Sequence, residues 1–254
     1  MTTTKTDKVV FFDCYQTLLD VRLDKERQKV DEQMGWEKLV ALLNERGIQV
    51  NVATILALLE KRKADFYSTR DKKLYHHSFY ALLGAILKED LHAEVSADDL
   101  TVLIYEYRKI ARGSVQLYPK VADTLAQLSQ HYTLAIASYT QNSFTQLELR
   151  ELGIEQYFSY FIYSSEIGIR KETLGFYEEC LRVVGKDAAD CVMIGDHYQE
   201  DILPSRKAGL NAIWIRNPDT LSKFTDVVVA DAGDTIALEN FDTLPAVLEQ
   251  LFIK

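Results

Sequence analysis

Proline is scarce in this sequence, four among 254 residues, and none falls between positions 21 and 112. A stretch of that length without a helix breaker accommodates long helices. Cysteine is scarcer still. Cys14, Cys180 and Cys191 are too few, and odd in number, for a disulfide framework, and they are read as reduced thiols in a cytoplasmic protein. Positive charge is in deficit, with 29 Lys and Arg against 38 Asp and Glu and a net charge of -9. Binding to a nucleic-acid backbone needs a basic surface, so no nucleic-acid partner is expected. No apolar run approaches the length of a membrane span, and the polar start from Met1 to Lys8 has no signal-peptide h-region. There is no G-x-G-x-x-G after the first apolar run and no P-loop, nor any internal repeat or low-complexity tract.

What is present is organised around the run Val9-Val10-Phe11-Phe12, which is apolar without alternation and ends at Asp13. A run of that kind fits a strand buried on both faces of a parallel sheet. From about Val21 to Arg112 the periodicity is helical. Trp36, Leu39, Val40, Leu42 and Leu43 share one face, and further faces start at Val52, Leu82 and Leu100, the last after an N-terminal Ser96-Ala97-Asp98-Asp99 cap. From Tyr118 onward short apolar strands alternate with helices, which argues for βαβ units. The expected strands are Tyr132 to Ala137, Tyr157 to Tyr163, Cys191 to Ile194, Ala212 to Ile215 and Val227 to Val229. Helices are expected around Val121-Leu125-Leu128, Leu147-Leu149-Leu152, Phe176-Cys180-Leu181-Val184, Asp201 to Gly209 and Leu244 to Leu251. The fold class is therefore α/β, a doubly wound parallel sheet formed by residues 1–20 and 113–254, with an inserted all-helical cap over residues 21–112.

In a parallel sheet the strand ends share one edge, where open α/β folds bind ligands. Asp13, Ser138, Lys171 or Arg170, and Asp196 with Asp201 are expected there. Carboxylates gathered with a hydroxyl and an ammonium suit phosphoryl transfer. One carboxylate attacks, the others hold a hard cation, and serine and lysine steady the phosphate oxygens. Several of the polar residues also have purely structural roles open to them. Ser138 alone is an ordinary N-cap; Asn142 serves as a substrate donor or as a cap; Cys14 packs; His197 packs or faces solvent; His76 and His77 are structural within the cap; and Lys61-Arg62-Lys63 is a solvated helix face.

Phe12-Asp13-Cys14-Tyr15-Gln16-Thr17-Leu18-Leu19-Asp20, Ile136-Ala137-Ser138, Arg170-Lys171 and Ile194-Gly195-Asp196-His197-Tyr198-Gln199-Glu200-Asp201, in that order and with Ala208-Gly209 beyond, resemble the four motifs of the haloacid dehalogenase (HAD) superfamily. The resemblance implies a hydrolase with a covalent intermediate on Asp13, and Asp13, Tyr15, Ser138 and Lys171 as the catalytic set. It implies Mg2+ held by Asp13, the Tyr15 carbonyl, Asp196 and Asp201, and a small-molecule substrate contacted by Ser138, Tyr139, Asn142, Lys171 and, from the cap, Arg62.

Departures from the family pattern keep alternatives open. Family phosphatases usually carry an aspartate two residues after the nucleophile as general acid and base, where this chain has Tyr15. Dehalogenases carry tyrosine there, because a departing halide needs no proton. The Gly195-Asp196 and Asp201 pattern points the other way, toward the metal-binding members. Gln16 replaces a glycine common at the turn, and Glu172 a proline common after the lysine. A magnesium-dependent phosphatase is the favoured expectation, with a metal-independent 2-haloacid dehalogenase and a catalytically silent binding protein as alternatives.

Overall fold

The computed structural model describes residues 5–22, 25–216 and 235–253. Val9–Phe12 form β1, and all of its side chains are buried. Val10 and Phe12 pack in one apolar cluster while Val9 and Phe11 pack in another. Cover on both faces is why this strand is apolar throughout. After β1 come β2 (Leu19–Arg22), helices α1 (Lys25–Glu45), α2 (Val52–Ser68), α3 (Phe79–Ala85) and α4 (Ala97–Ala111), and β3 (Ser114–Leu117). The chain continues through α5 (Val121–Leu128), β4 (Thr133–Ser138), α6 (Asn142–Glu151), β5 (Phe158–Tyr163) and α7 (Ser164–Ile167). Next are α8 (Leu174–Val184), β6 (Cys191–Gly195), α9 (Leu203–Lys207), β7 (Asn211–Ile215), β8 (Ile236–Leu238) and α10 (Leu244–Ile253).

Six of the described strands form a parallel sheet in the order β5-β4-β1-β6-β7-β8. The chain lays down β1, β4 and β5 in one direction, then crosses β1 to add β6, β7 and β8 on the other side. Phe12 is in register with both Ile136 and Ile194, so the residues that follow β1, β4 and β6 emerge at one level of the sheet edge. That edge, at the change of direction, is where such sheets bind ligands. The expected strand at Val227 to Val229 lies outside the described residues. Among those residues no helix is long and apolar enough to cross a membrane.

Helices α1 to α4 have their own apolar cluster, centred on Trp36, Leu39, Leu43, Ile55, Leu83, Leu103 and Ile104. Asn51, Ser78 and Ser96 accept hydrogen bonds from the backbone N–H groups of Thr54, Ala81 and Asp99, and so cap α2, α3 and α4. Gly35 lets α1 and α4 approach closely, since a Cβ there would lie 2.9 Å from the Tyr107 carbonyl oxygen. One feature differs from the expectations. A two-stranded antiparallel ribbon, with Leu19 opposite Leu117 and Arg22 opposite Ser114, joins these helices to the sheet; its strands are too short to leave a periodic signal. The helix expected around Leu147-Leu149-Leu152 is α6; it buries Thr145, Glu148 and Leu149, and Leu152 packs against the same cluster as Leu149.

Candidate active site

The sheet edge brings Asp13, Ser138, Lys171, Asp196 and Asp201 together. The Asp13 N–H still bonds to the Ile194 carbonyl at 2.9 Å, so the carboxylate leaves the sheet from a fixed backbone. Its Oδ1 accepts from Ser138 Oγ at 3.0 Å and from Lys171 Nζ at 2.5 Å. Lys171 is not at a strand end as expected, because α7 intervenes after β5. Its ammonium is nevertheless buried, and it also reaches Asp201 Oδ1 at 2.6 Å. Asp201 Oδ2 accepts the His197 N–H at 2.8 Å, and Asp196 Oδ1 accepts from Thr17 Oγ1 at 3.0 Å. Gly195 is required by this packing: a Cβ on it would lie 2.1 Å from Asp201 Oδ2.

Burial and charge make the cluster strongly unbalanced. Three buried or half-buried carboxylates face one ammonium. Burial, with Asp201 and Asp13 nearby, holds the Asp196 carboxyl well above the usual carboxylate range. Burial also raises Asp201, to about 7, with Lys171 opposing and Asp13 adding to the rise. Burial alone would discharge Lys171, yet Asp13 and Asp201 reverse that and raise its pKa. One oxygen from each of Asp13, Asp196 and Asp201 lies within 4.8 Å of the others. An oxygen-only donor set with surplus negative charge fits a hard divalent cation such as Mg2+.

The other expected residues are placed differently. The Tyr15 hydroxyl donates to Glu148 Oε2 at 2.6 Å and lies 3.1 Å from Thr145 Oγ1. Burial, then Glu148, raises its pKa, so it stays protonated. Tyr139 packs against the tilted His76 ring, centroids 4.4 Å apart, and the Arg170 guanidinium lies 4.6 Å from its centroid. The Asn142 amide donates to Glu166, and its backbone N–H to Ser165 Oγ at 3.2 Å. Arg62 is clamped within the inserted helices by Asp90 at 2.8 Å and Glu89 at 2.7 Å. These two carboxylates engage the guanidinium that was expected to take a substrate group.

His76 is not confined to the helical layer. Its Nδ1 lies 2.7 Å from Ser164 Oγ, and its N–H bonds to the Gly168 carbonyl at 3.0 Å. Tyr75 pairs with Ile169, so the loop between α2 and α3 is stitched to the segment that leads into Lys171. Cys14 is buried, and burial with Asp13 beside it pushes its thiol well up, which fits packing rather than nucleophilic chemistry. His197 caps the following turn, accepting the Glu200 N–H at 3.1 Å. Thr17 and Tyr177 were not legible as parts of the site. The Tyr177 hydroxyl donates to the Glu200 carbonyl at 2.8 Å and lies 3.2 Å from that of Asp201, which supports the loop carrying Asp201.

The family model of the haloacid dehalogenase-like hydrolases matches residues 8–209. The chain belongs to this family. It is a hydrolase of the HAD superfamily, on the parallel α/β fold that the resemblance implies. It is similar to the glyceraldehyde 3-phosphate phosphatase of Methanothermobacter thermautotrophicus, 26% identical over 247 residues, covering 95% of this chain and 99% of that one. It is 29% identical to the phosphoserine phosphatase of Thermus thermophilus over 134 residues, 50% of this chain and 53% of the relative. Among solved structures, the 2-haloacid dehalogenase of Pseudomonas syringae pv. tomato superposes with a TM-score of 0.64 at 25% identity, covering 96% of this chain and 98% of that one. Phosphatase and dehalogenase relatives are thus both present, as the mixed motifs imply.

Proposed function

We propose that this HAD hydrolase is a magnesium-dependent phosphatase of a small phosphorylated metabolite, acting through a phospho-Asp13 intermediate. The observation that carries the reading is the surplus of carboxyl groups where Asp13, Asp196 and Asp201 meet one lysine. A dehalogenase site that works without metal has no use for that surplus. When bound, Mg2+ would offset charge on the phosphoryl oxygens, held by Asp13, the Tyr15 carbonyl and Asp196. Asp201 completes the set by holding Lys171.

Ser138 and Lys171 both donate to Asp13 Oδ1, which favours Oδ2 as the attacking oxygen. Asp13 attacks phosphorus, the bond from phosphorus to the ester oxygen breaks, and the leaving oxygen takes a proton from water. Water then attacks the acyl phosphate, releasing inorganic phosphate and restoring the Asp13 carboxylate. Ser138 and Lys171 steady the phosphoryl oxygens in both steps. With its proton committed to Glu148, Tyr15 does not replace the missing acid, and loss of a positioned acid typically lowers rates by about 10² to 10⁴-fold. The substrates best suited are therefore those whose leaving group departs without protonation. In the same reading, residues 1–20 and 113–254 form the catalytic core, residues 21–112 the cap that covers it, and the setting is cytoplasmic.

The second reading is a metal-independent 2-haloacid dehalogenase, favoured by Tyr15 at its position and by the Pseudomonas neighbour. One experiment separates the two. The protein is assayed with a panel of phosphomonoesters and with 2-chloropropionate, each with Mg2+ and with chelator. Phosphate release that chelator abolishes and Mg2+ restores supports the phosphatase. Halide release undiminished by chelator replaces it with the dehalogenase.

A further inference from the structure

Glu148 takes no part in the reaction above, yet its side chain is only 1% exposed. Both of its oxygens are used, and they face different parts of the molecule. Oε2 accepts from the Tyr15 hydroxyl at 2.6 Å, two residues beyond Asp13. Oε1 accepts from Arg108 Nε on α4 at 2.8 Å, with Arg112 Nη1 at 3.7 Å. Arg108 also brings Nη2 to 3.4 Å from the Tyr15 oxygen, and its guanidinium lies 5.0 Å from the Phe144 ring centroid. Thr145 Oγ1, in contact with Tyr15, lies 2.7 Å from Thr140 Oγ1 in the loop that follows Ser138. The turn carrying Asp13 and the last turns of α4 therefore meet on one carboxylate, and the loop after Ser138 joins them through Thr145 and the Tyr15 hydroxyl.

Holding three segments together does not by itself call for a charge. Apolar side chains of similar volume do so at no less stability, because burying an ion pair costs several kcal/mol in desolvation. What a charged network adds is direction: each oxygen fixes its donors within narrow distances and angles, and the donors polarise one another. Here the directions run from the nucleophile's turn on one side to the inserted helices on the other.

We propose that Glu148 is a positioning residue that sets how the inserted helices seat over Asp13, acting through the Tyr15 hydroxyl and the Arg108 guanidinium. The tyrosine two residues after the nucleophile then serves as a strut in place of a proton donor. The inference rests on the hydrolase reading for its kinetic readout alone.

The test uses the full-length protein and four variants: Tyr15→Phe, Arg108→Lys, the pair combined, and Glu148→Gln. Two measurements are made, kcat and KM on the best substrate of the panel, and amide hydrogen exchange across residues 14–19 and 97–111. Tyr15→Phe and Arg108→Lys are each expected to lower kcat by about 10 to 100-fold, as a shift of about 1 Å in a reacting group does, with KM changed by less than about threefold. Each is expected to speed exchange in both segments, and the double variant to fall well short of the product of the two. Glu148→Gln, which keeps the shape, is expected to lie between parent and double variant; if it fails to fold, the other three still decide.

Faster exchange confined to the mutated segment, or multiplicative effects of the pair, would overturn the proposal. So would an unchanged kcat in Tyr15→Phe. Exchange needs no substrate, so coupled exchange without phosphate release would sink the phosphatase reading and leave the strut standing. Mg2+-dependent turnover with uncoupled exchange would do the reverse.

Discussion

Two buried charged clusters flank the turn from Asp13 to Thr17, and their balance is opposite. In the first, Asp13, Asp196 and Asp201 face Lys171 alone. In the second, Glu148 faces Arg108 and Arg112, the latter also paired with Glu151, and the Tyr15 hydroxyl, itself in contact with Thr145, completes its bonds. The turn feeds both, since Asp13 and Thr17 belong to the first while Tyr15 belongs to the second. Surplus like charge raises the energy of the empty state, so the first cluster is prepared to gain a cation or a reacting group. Satisfied charge gains nothing from a ligand, and the second cluster works as scaffold.

The largest expected effect falls on the first cluster. Asp13→Asn removes the nucleophile while keeping its volume, and turnover should fall by at least about 10³-fold with the fold retained by circular dichroism. Turnover that persisted would break the comparison, because the unbalanced cluster would then not be the reacting one.

A paired stability measurement sharpens it next. Lys171→Met leaves the three carboxylates without their ammonium and should cost about 3–5 kcal/mol, or about 10 °C in Tm for a chain of this size. Saturating Mg2+ should restore part of that loss. Arg112→Met in the balanced cluster leaves Glu148 still paired with Arg108, and should cost about 1 kcal/mol without any response to Mg2+. Equal losses for the two variants would erase the distinction.

How much of this was legible in the sequence follows from where each signal resides. Strands buried on both faces write themselves as apolar runs, so β1, β4, β6 and β7 are plain, and the polar residues that end or follow β1, β4 and β6 mark the first cluster. The second cluster has no such mark. Glu148 is one acidic residue within α6, and its burial depends on Arg108, 40 positions earlier. Likewise His76 is held by Ser164, 88 positions later, and the direction of the Tyr15 side chain depends on α6. Long-range pairing of polar groups leaves no periodicity, and the strands of the β2–β3 ribbon, four residues each, are too short to show one.

His76 offers a pH test at the seam between the two regions. Burial, with His77 and Arg170 nearby, lowers its pKa to about 4 from the usual 6.5. Unfolded chains therefore bind a proton that the folded protein refuses over that window. The stabilising difference is complete above pH 6.5 and is lost as pH falls from 6.5 toward 4, by up to about 3 kcal/mol. His76→Gln should flatten this part of the profile of Tm against pH relative to the parent. An unchanged slope would mean that the α2–α3 loop is free of the sheet in solution.

The smallest effect concerns Gln16, which lies between the two clusters' residues and holds φ at +63°, a conformation that favours glycine. Gln16→Gly would relieve about 1 kcal/mol of backbone strain. It would also remove the bond that the side chain accepts from the Tyr118 hydroxyl at 2.9 Å and the one it donates to the Val21 carbonyl at 3.1 Å. Each such bond is worth about 1 kcal/mol net, and glycine adds about 0.5–1 kcal/mol of backbone entropy to the unfolded chain. The losses exceed the relief, so the variant should be less stable by about 1.5–2 kcal/mol in urea denaturation. A gain instead would show that strain dominates at this turn, and that the glutamine is retained for the path it gives the chain from Tyr15 into the ribbon rather than for stability.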